Sequence, residues 1–160
     1  MATANLSHYD ADSVPSAESM TFGIVVSEWN STITFNLLKG AKETLLKHGA
    51  KEQNIYVSLV PGSFELALGA QLLIESRNVD GVVCLGSVIQ GETKHFDFVC
   101  EATAKGIMDV NLKFGKPVIF GVLTDNTLQQ AIDRSGGKLG NKGIECAIAC
   151  IKMVDFQRGL

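Results

Sequence analysis

The stretch Val82-Val-Cys-Leu-Gly-Ser-Val-Ile89 runs directly into Gln90-Gly-Glu-Thr-Lys-His95 and then into a helical run from about Phe96 to Lys113. An uncharged segment rich in β-branched residues reads as a strand buried on both faces. The polar hexapeptide is then a strand-to-helix loop. Gly115-Lys-Pro117 punctuates the helix, and Val118 to Leu123 follows as a second apolar strand. A strand, a crossover helix and a second buried strand make a parallel unit.

The same unit recurs upstream. Phe22-Gly-Ile-Val-Val-Ser27 reads as a strand, and after a Ser/Thr/Asn loop Leu37, Leu38, Ala41, Leu45 and Leu46 recur at helical spacing until Gly49. Ile55 to Val60 is a strand, Pro61-Gly62 breaks it, and Ser63 is placed to cap a helix through Leu66, Ala67, Ala70, Leu73 and Ile74. Downstream, a helix is expected from about Asn126 to Arg134, a glycine-rich turn from Gly136 to Gly143, and a last helix from Ile144 to Phe156. The expected fold is α/β: a flavodoxin-like three-layer α/β/α sandwich on a four-stranded parallel sheet. Residues 21–160 form its one domain. Residues 1–20 show neither period and are expected to be a tail or a segment ordered only by a neighbour.

Composition narrows the function. A chain of 160 residues with 46% apolar content suits one compact domain, and a formal charge of -3 spread along it offers no basic stripe to a nucleic acid. No apolar run approaches the ~20 residues that span a bilayer, and residues 1–20 lack a basic-then-apolar signal pattern, which implies a cytoplasmic protein. Cys84, Cys100, Cys146 and Cys150 lack CxxC spacing and sit in apolar surroundings. They read as small buried hydrophobes, and Cys146 with Cys150 makes an incomplete zinc site, so no metal is expected.

In doubly wound sheets ligands bind beyond the carboxyl ends of the strands. The loop Gln90 to His95 lies there and opens a helix, where backbone N–H groups and the helix dipole favour an anion. Gly91 permits close approach and Thr93 adds a hydroxyl, although an ordinary capped helix start reads the same way. His95 titrates near neutrality, which suits proton transfer or an exposed helix-start histidine. His8 and His48 read as structural or neutral. Trp29 offers a stacking face or a core or interface tryptophan, and Pro61-Gly-Ser-Phe-Glu65 a polar ligand loop or a plain turn and cap. Arg134 is either a bidentate phosphate ligand or a compensator of its helix dipole, and Lys142 either functional or an exposed turn lysine.

Pro61-Gly-Ser-Phe-Glu65, Leu85 to His95, Lys105-Gly-Ile107, Pro117 to Thr124 and Gly140-Asn-Lys-Gly143 together resemble the lumazine synthase family, over about Phe22 to Phe156. The resemblance implies condensation of 5-amino-6-ribitylaminouracil with 3,4-dihydroxy-2-butanone 4-phosphate to 6,7-dimethyl-8-ribityllumazine in riboflavin biosynthesis. It implies stacking of the pyrimidine on Trp29, beside Asn30, with Ser87, Val88 and Ile89 lining the pyrimidine end. It gives Ser63, Phe64 and Glu65 to the ribityl chain and Gly91, Glu92, Thr93 and Arg134 to the phosphate. Lys142 would reach the ring carbonyl with Glu145 as its charged neighbour, and His95 would shuttle protons. Phe120 would come from an adjacent subunit. Lys94 stands where the family often has proline, and Ser87 where it often has alanine.

The same resemblance implies small-molecule substrates, no cofactor and a homo-oligomer: a pentamer, or a sixty-subunit shell of twelve pentamers, with riboflavin synthase as an associate. Other readings compete. A flavodoxin-type electron carrier would need a glycine in the loop after Ser27, and a response-regulator receiver an acidic pair there. A non-catalytic flavin- or lumazine-binding homologue, or an archaeal-type riboflavin synthase, would keep the fold and lose or change the chemistry.

Overall fold

The computed structural model describes residues 5–160. Four strands, β1 (Phe22–Ser27), β2 (Ile55–Val60), β3 (Gly81–Ile89) and β4 (Val118–Asp125), form one parallel sheet in the order β2-β1-β3-β4. β1 and β3 are central, and their burial on both faces explains their continuous apolar sequences. The crossovers are α1 (Ser31–Lys47), α2 (Leu66–Ser76) and α3 (His95–Phe114); α4 (Leu128–Arg134) and α5 (Lys142–Arg158) follow β4. The expected three-layer fold is present.

Alternating side chains of the strands feed two cores. Phe22, Ile24, Val26, Val83 and Leu85 meet α1, α4 and α5 on one face through Leu37, Ala131 and Ile151. Val25, Val82, Cys84 and Val122 meet α2 and α3 on the other through Leu66, Ala70 and Ile107. Cys84, Cys146 and Cys150 are free and buried, and Cys100 is half-buried on α3. α1 and α5 cross where Gly143 leaves room for the Leu37 carbonyl.

Several boundaries differ from the sequence expectation. α1 begins at Ser31, within the segment expected as loop, because Ile33 is buried and the Thr34 hydroxyl donates to the Ser27 carbonyl at 2.7 Å. The glycine-rich turn contains a small antiparallel pair, β5 (Ser135–Gly137) and β6 (Gly140–Asn141). α5 starts at Lys142 because the Asn141 side chain accepts from the Gly143 N–H at 2.8 Å.

The N-terminal segment departs most. Residues 5–20 lie against their own chain. Ala17 and Met20 join the core, the Ala17 N–H donates to the His48 carbonyl at 2.8 Å, and the Tyr9 hydroxyl lies 3.0 Å from His48 Nε2. This strap combines short local turns, including a 3-10 turn at Ala11–Ser13, with bonds to distant residues, and so has no sustained periodicity.

Candidate active site

The carboxyl ends of β1 and β3 open onto a cleft of about 430 Å³. It is lined by Trp29 and Asn30 after β1, Gly62 to Glu65 after β2, Ser87, Val88 and Ile89 at the end of β3, and His95 and Val99 on α3. An adjoining hollow shares Phe64, Glu65, His95 and Val99 and adds Phe98. A hollow of similar size between α1 and the β5–β6 turn, lined by Lys39, Glu43 and glycines, holds none of the expected site residues.

Local chemistry shapes each wall. Asn30 turns the chain from β1 into α1 at φ 59°, a conformation that asparagine tolerates better than most residues. Its Nδ2 donates to the Ser87 carbonyl at 2.9 Å, which ties the β1 loop to the end of β3. The Glu28 and Trp29 N–H groups donate to the Val60 and Pro61 carbonyls at 2.8 and 3.0 Å, joining the β1 and β2 loops. The Gly62 N–H donates to Glu65 Oε2 at 3.0 Å, so the carboxylate is held at the cleft wall. Gly86 leaves space for the buried Ser63, over which no other side chain would fit.

The rim is apolar and uncovered. Trp29 is 75% exposed and Phe64 62%, an arrangement that a ligand or a neighbouring chain would relieve. Gly91, Glu92 and Thr93 are exposed between Ile89 and His95, and the His95 N–H reaches Thr93 Oγ1 at 3.4 Å. A methyl on Gly91 would meet nothing within its own chain. The Ser87 side chain alternates onto the face of Leu85, and its hydroxyl has no partner among the described residues.

The remaining expected residues stand elsewhere. Arg134 ends α4, and Lys142 and Glu145 form the first turn of α5, on the opposite face of the sheet from α2 and α3. Arg134 Nη2 and Lys142 Nζ meet the two oxygens of Glu145 at 2.7 and 3.0 Å. Burial pushes the Glu145 carboxyl up, but the bonds from Arg134 and Lys142 prevail and hold it below the usual glutamate value. Burial raises the neighbouring Asp125 carboxyl, with the Arg134 charge opposing. Phe120 lies on β4 and is 36% exposed. None of these four lines the cleft of its own chain.

Sequence reading missed Val99, one helical turn after His95 on α3, which that spacing would have revealed. It also missed the Leu139 carbonyl, which accepts from Arg134 Nη1 at 2.9 Å. No local signal marks a carbonyl for that purpose.

A doubly wound sheet with an aromatic-rimmed, largely apolar cleft at its strand ends, and an imidazole on the cleft wall, is the arrangement of an α/β enzyme that acts on a small molecule. A family model described as 6,7-dimethyl-8-ribityllumazine synthase matches residues 19–158. Relatives bearing that name include a Phocaeicola vulgatus protein, 59% identical over 100% of this chain and 96% of its own length. Another, from Parabacteroides distasonis, is 55% identical over 98% of this chain and 99% of its own. A third, from Cytophaga hutchinsonii, is 58% identical over 96% of each. The chain belongs to the 6,7-dimethyl-8-ribityllumazine synthase family.

Proposed function

We propose that this chain condenses 5-amino-6-ribitylaminouracil with 3,4-dihydroxy-2-butanone 4-phosphate to 6,7-dimethyl-8-ribityllumazine, releasing phosphate and water, as a step of riboflavin biosynthesis. The observation that carries the reading is the convergence on one cleft of the loop after β1, with Trp29 and Asn30, and of two of the matching motifs, Pro61 to Glu65 and Leu85 to His95. The pyrimidine stacks on Trp29, against Asn30, Ser87, Val88 and Ile89, and the ribityl chain runs along Ser63, Phe64 and Glu65. Gly91, Glu92, Thr93 and Arg134 hold the phosphate, the backbone groups through the start of α3.

Amine addition to a ketone requires a proton to move from nitrogen to the carbinol oxygen before water leaves. Loss of phosphate then requires a proton to leave carbon. His95 is the group placed to take and return these protons, and the cleft supplies orientation. Lys142, neutralised in part by Glu145, meets the ring carbonyl. The reaction calls on no metal or redox cofactor.

Because Phe120, Arg134, Lys142 and Glu145 lie away from the cleft of their own chain, they serve the cleft of a neighbour. The active species is then a homo-oligomer, a pentamer or a sixty-subunit shell of twelve pentamers, with riboflavin synthase as a partner. Exposed Leu68, Leu72, Phe98 and Leu112 on α2 and α3 support a buried subunit contact. Residues 21–160 form the catalytic domain and residues 1–20 its N-terminal segment. No helix among the described residues is long and apolar enough to cross a membrane, which accords with a cytoplasmic enzyme.

Mixing the purified protein with both substrates tests the reading. A fluorescent lumazine forming at a rate proportional to protein supports it, and tight pyrimidine binding without product would replace it with a non-catalytic binder. Light scattering of the active species completes the test, since an active monomer would overturn the shared site.

A further inference from the structure

The N-terminal segment meets the rest of the chain at a point that the proposed reaction uses. Two acceptors orient the Arg134 guanidinium: the Leu139 carbonyl receives Nη1 at 2.9 Å, and Glu145 Oε1 receives Nη2 at 2.7 Å. Both acceptors are also bonded by the strap. The Leu6 N–H donates to the Leu139 carbonyl at 3.0 Å, and Ser7 Oγ lies 3.1 Å from Glu145 Oε1. The Ser7 oxygen is itself fixed, because it accepts from the Asn141 N–H at 2.7 Å, and its single proton is shared between the Asn141 carbonyl at 2.9 Å and Glu145 Oε1. Ser7 is only 7% exposed although it stands near the start of the chain. Gly140, at φ 90°, admits the strap, since a side chain there would collide with Asn5 and Ser7.

From this arrangement we infer that Ser7 is a positioning residue for the phosphate-binding guanidinium, acting through Glu145 rather than on the substrate. The inference rests on the reading of Arg134 as a phosphate ligand. A guanidinium grips phosphate through a planar fork, so its plane must be set before the anion arrives. Glu145 sets that plane, but its other oxygen is drawn to Lys142 at 3.0 Å. With Ser7 in place, Oε1 is held from a second direction. Without it, the carboxylate is free to turn toward Lys142 and carry Nη2 out of register. Ser7 thus converts the strap, 138 positions away in sequence, into part of the binding apparatus.

The test compares full-length wild type, Ser7→Ala, Arg134→Ala and the double variant, with each substrate varied in turn. Ser7→Ala should raise KM for the butanone phosphate about threefold to tenfold, the effect of one weakened charged hydrogen bond. Inorganic phosphate should inhibit it more weakly by a similar factor. The pyrimidine KM and kcat should stay within about twofold. The double variant should bind the phosphorylated substrate no worse than Arg134→Ala, because one residue acts through the other. If Arg134→Ala raises that KM while Ser7→Ala leaves it unchanged, or shifts both KM values alike, the inference is wrong and the phosphate reading stands. If Arg134→Ala spares that KM, the phosphate role of Arg134 falls and the inference falls with it.

Discussion

Replacing Glu145 by Gln removes the charge shared by two cations while keeping the shape of the side chain. The amide oxygen can still accept from Arg134 or Lys142, but no longer from both as an anion. The side chains of Arg134 and Glu145 are 14% and 24% exposed, which sets the magnitude. An exposed ion pair contributes ~0–1 kcal/mol, and breaking a fully buried one costs ~3–5 kcal/mol. An intermediate site should lose about 2 kcal/mol. With a urea dependence of ~2 kcal/mol per molar, the unfolding midpoint should fall by about 1 M. Protein concentration must be held fixed, since assembly couples stability to concentration. The pH dependence gives an independent check. The Glu145 pKa lies below the usual glutamate value, so its stabilisation is present at neutral pH and is lost as pH falls through the folded-state value. The gap between wild type and Glu145→Gln should therefore be widest near pH 7 and close in acid. The same variant should raise KM for the phosphorylated substrate, because Arg134 loses an anchor. A midpoint shift under about 0.2 M, or a gap that stays constant into acid, would refute the reasoning.

His95→Ala should lower kcat about a hundredfold while the pyrimidine KM moves less than about threefold, since orientation survives the loss of the proton carrier. Steady-state kinetics decide, and lost pyrimidine binding with unchanged turnover would contradict the role. Gly143→Ala places a methyl against the Leu37 carbonyl, a backbone atom that cannot swing aside. It should cost about 2–3 kcal/mol and lower the Tm in calorimetry; an unchanged Tm would mean that α1 and α5 separate freely. Burial pushes the thiols of Cys84, Cys146 and Cys150 up, that of Cys146 to about 12. A thiol reagent at pH 8 should therefore titrate Cys100 at most in the native protein, and two fast-reacting thiols would overturn that account.

The sheet and the cleft are legible in the chain because their signals are local. β3 announces itself by an unbroken apolar run, the loop to His95 by its glycine and polar residues, and α3 by its spacing. Those elements fix where the strand ends lie, and so bring Ser87, Val88, Ile89 and His95 to one wall. Asn30 and the start of α1 were less legible. Ser31-Thr-Ile-Thr34 has the composition of a loop, and it is helical because Ile33 is buried and Thr34 bonds back to Ser27. Tertiary contact here overrides a weak local preference.

The sequence by itself determined the α/β class and the strand-end position of the loop that ends at His95, since both follow from periodicity and turn chemistry within a few residues. Only the tertiary structure decided that Arg134, Lys142 and Glu145 form a separate cluster on the other face of the sheet, and that the strap at Leu6 and Ser7 braces it. Those contacts join Ser7 to Asn141 across 134 positions. Nothing in the composition of either segment specifies the other; the fold brings them within hydrogen-bond reach, and buried polar groups then take the partners that remain.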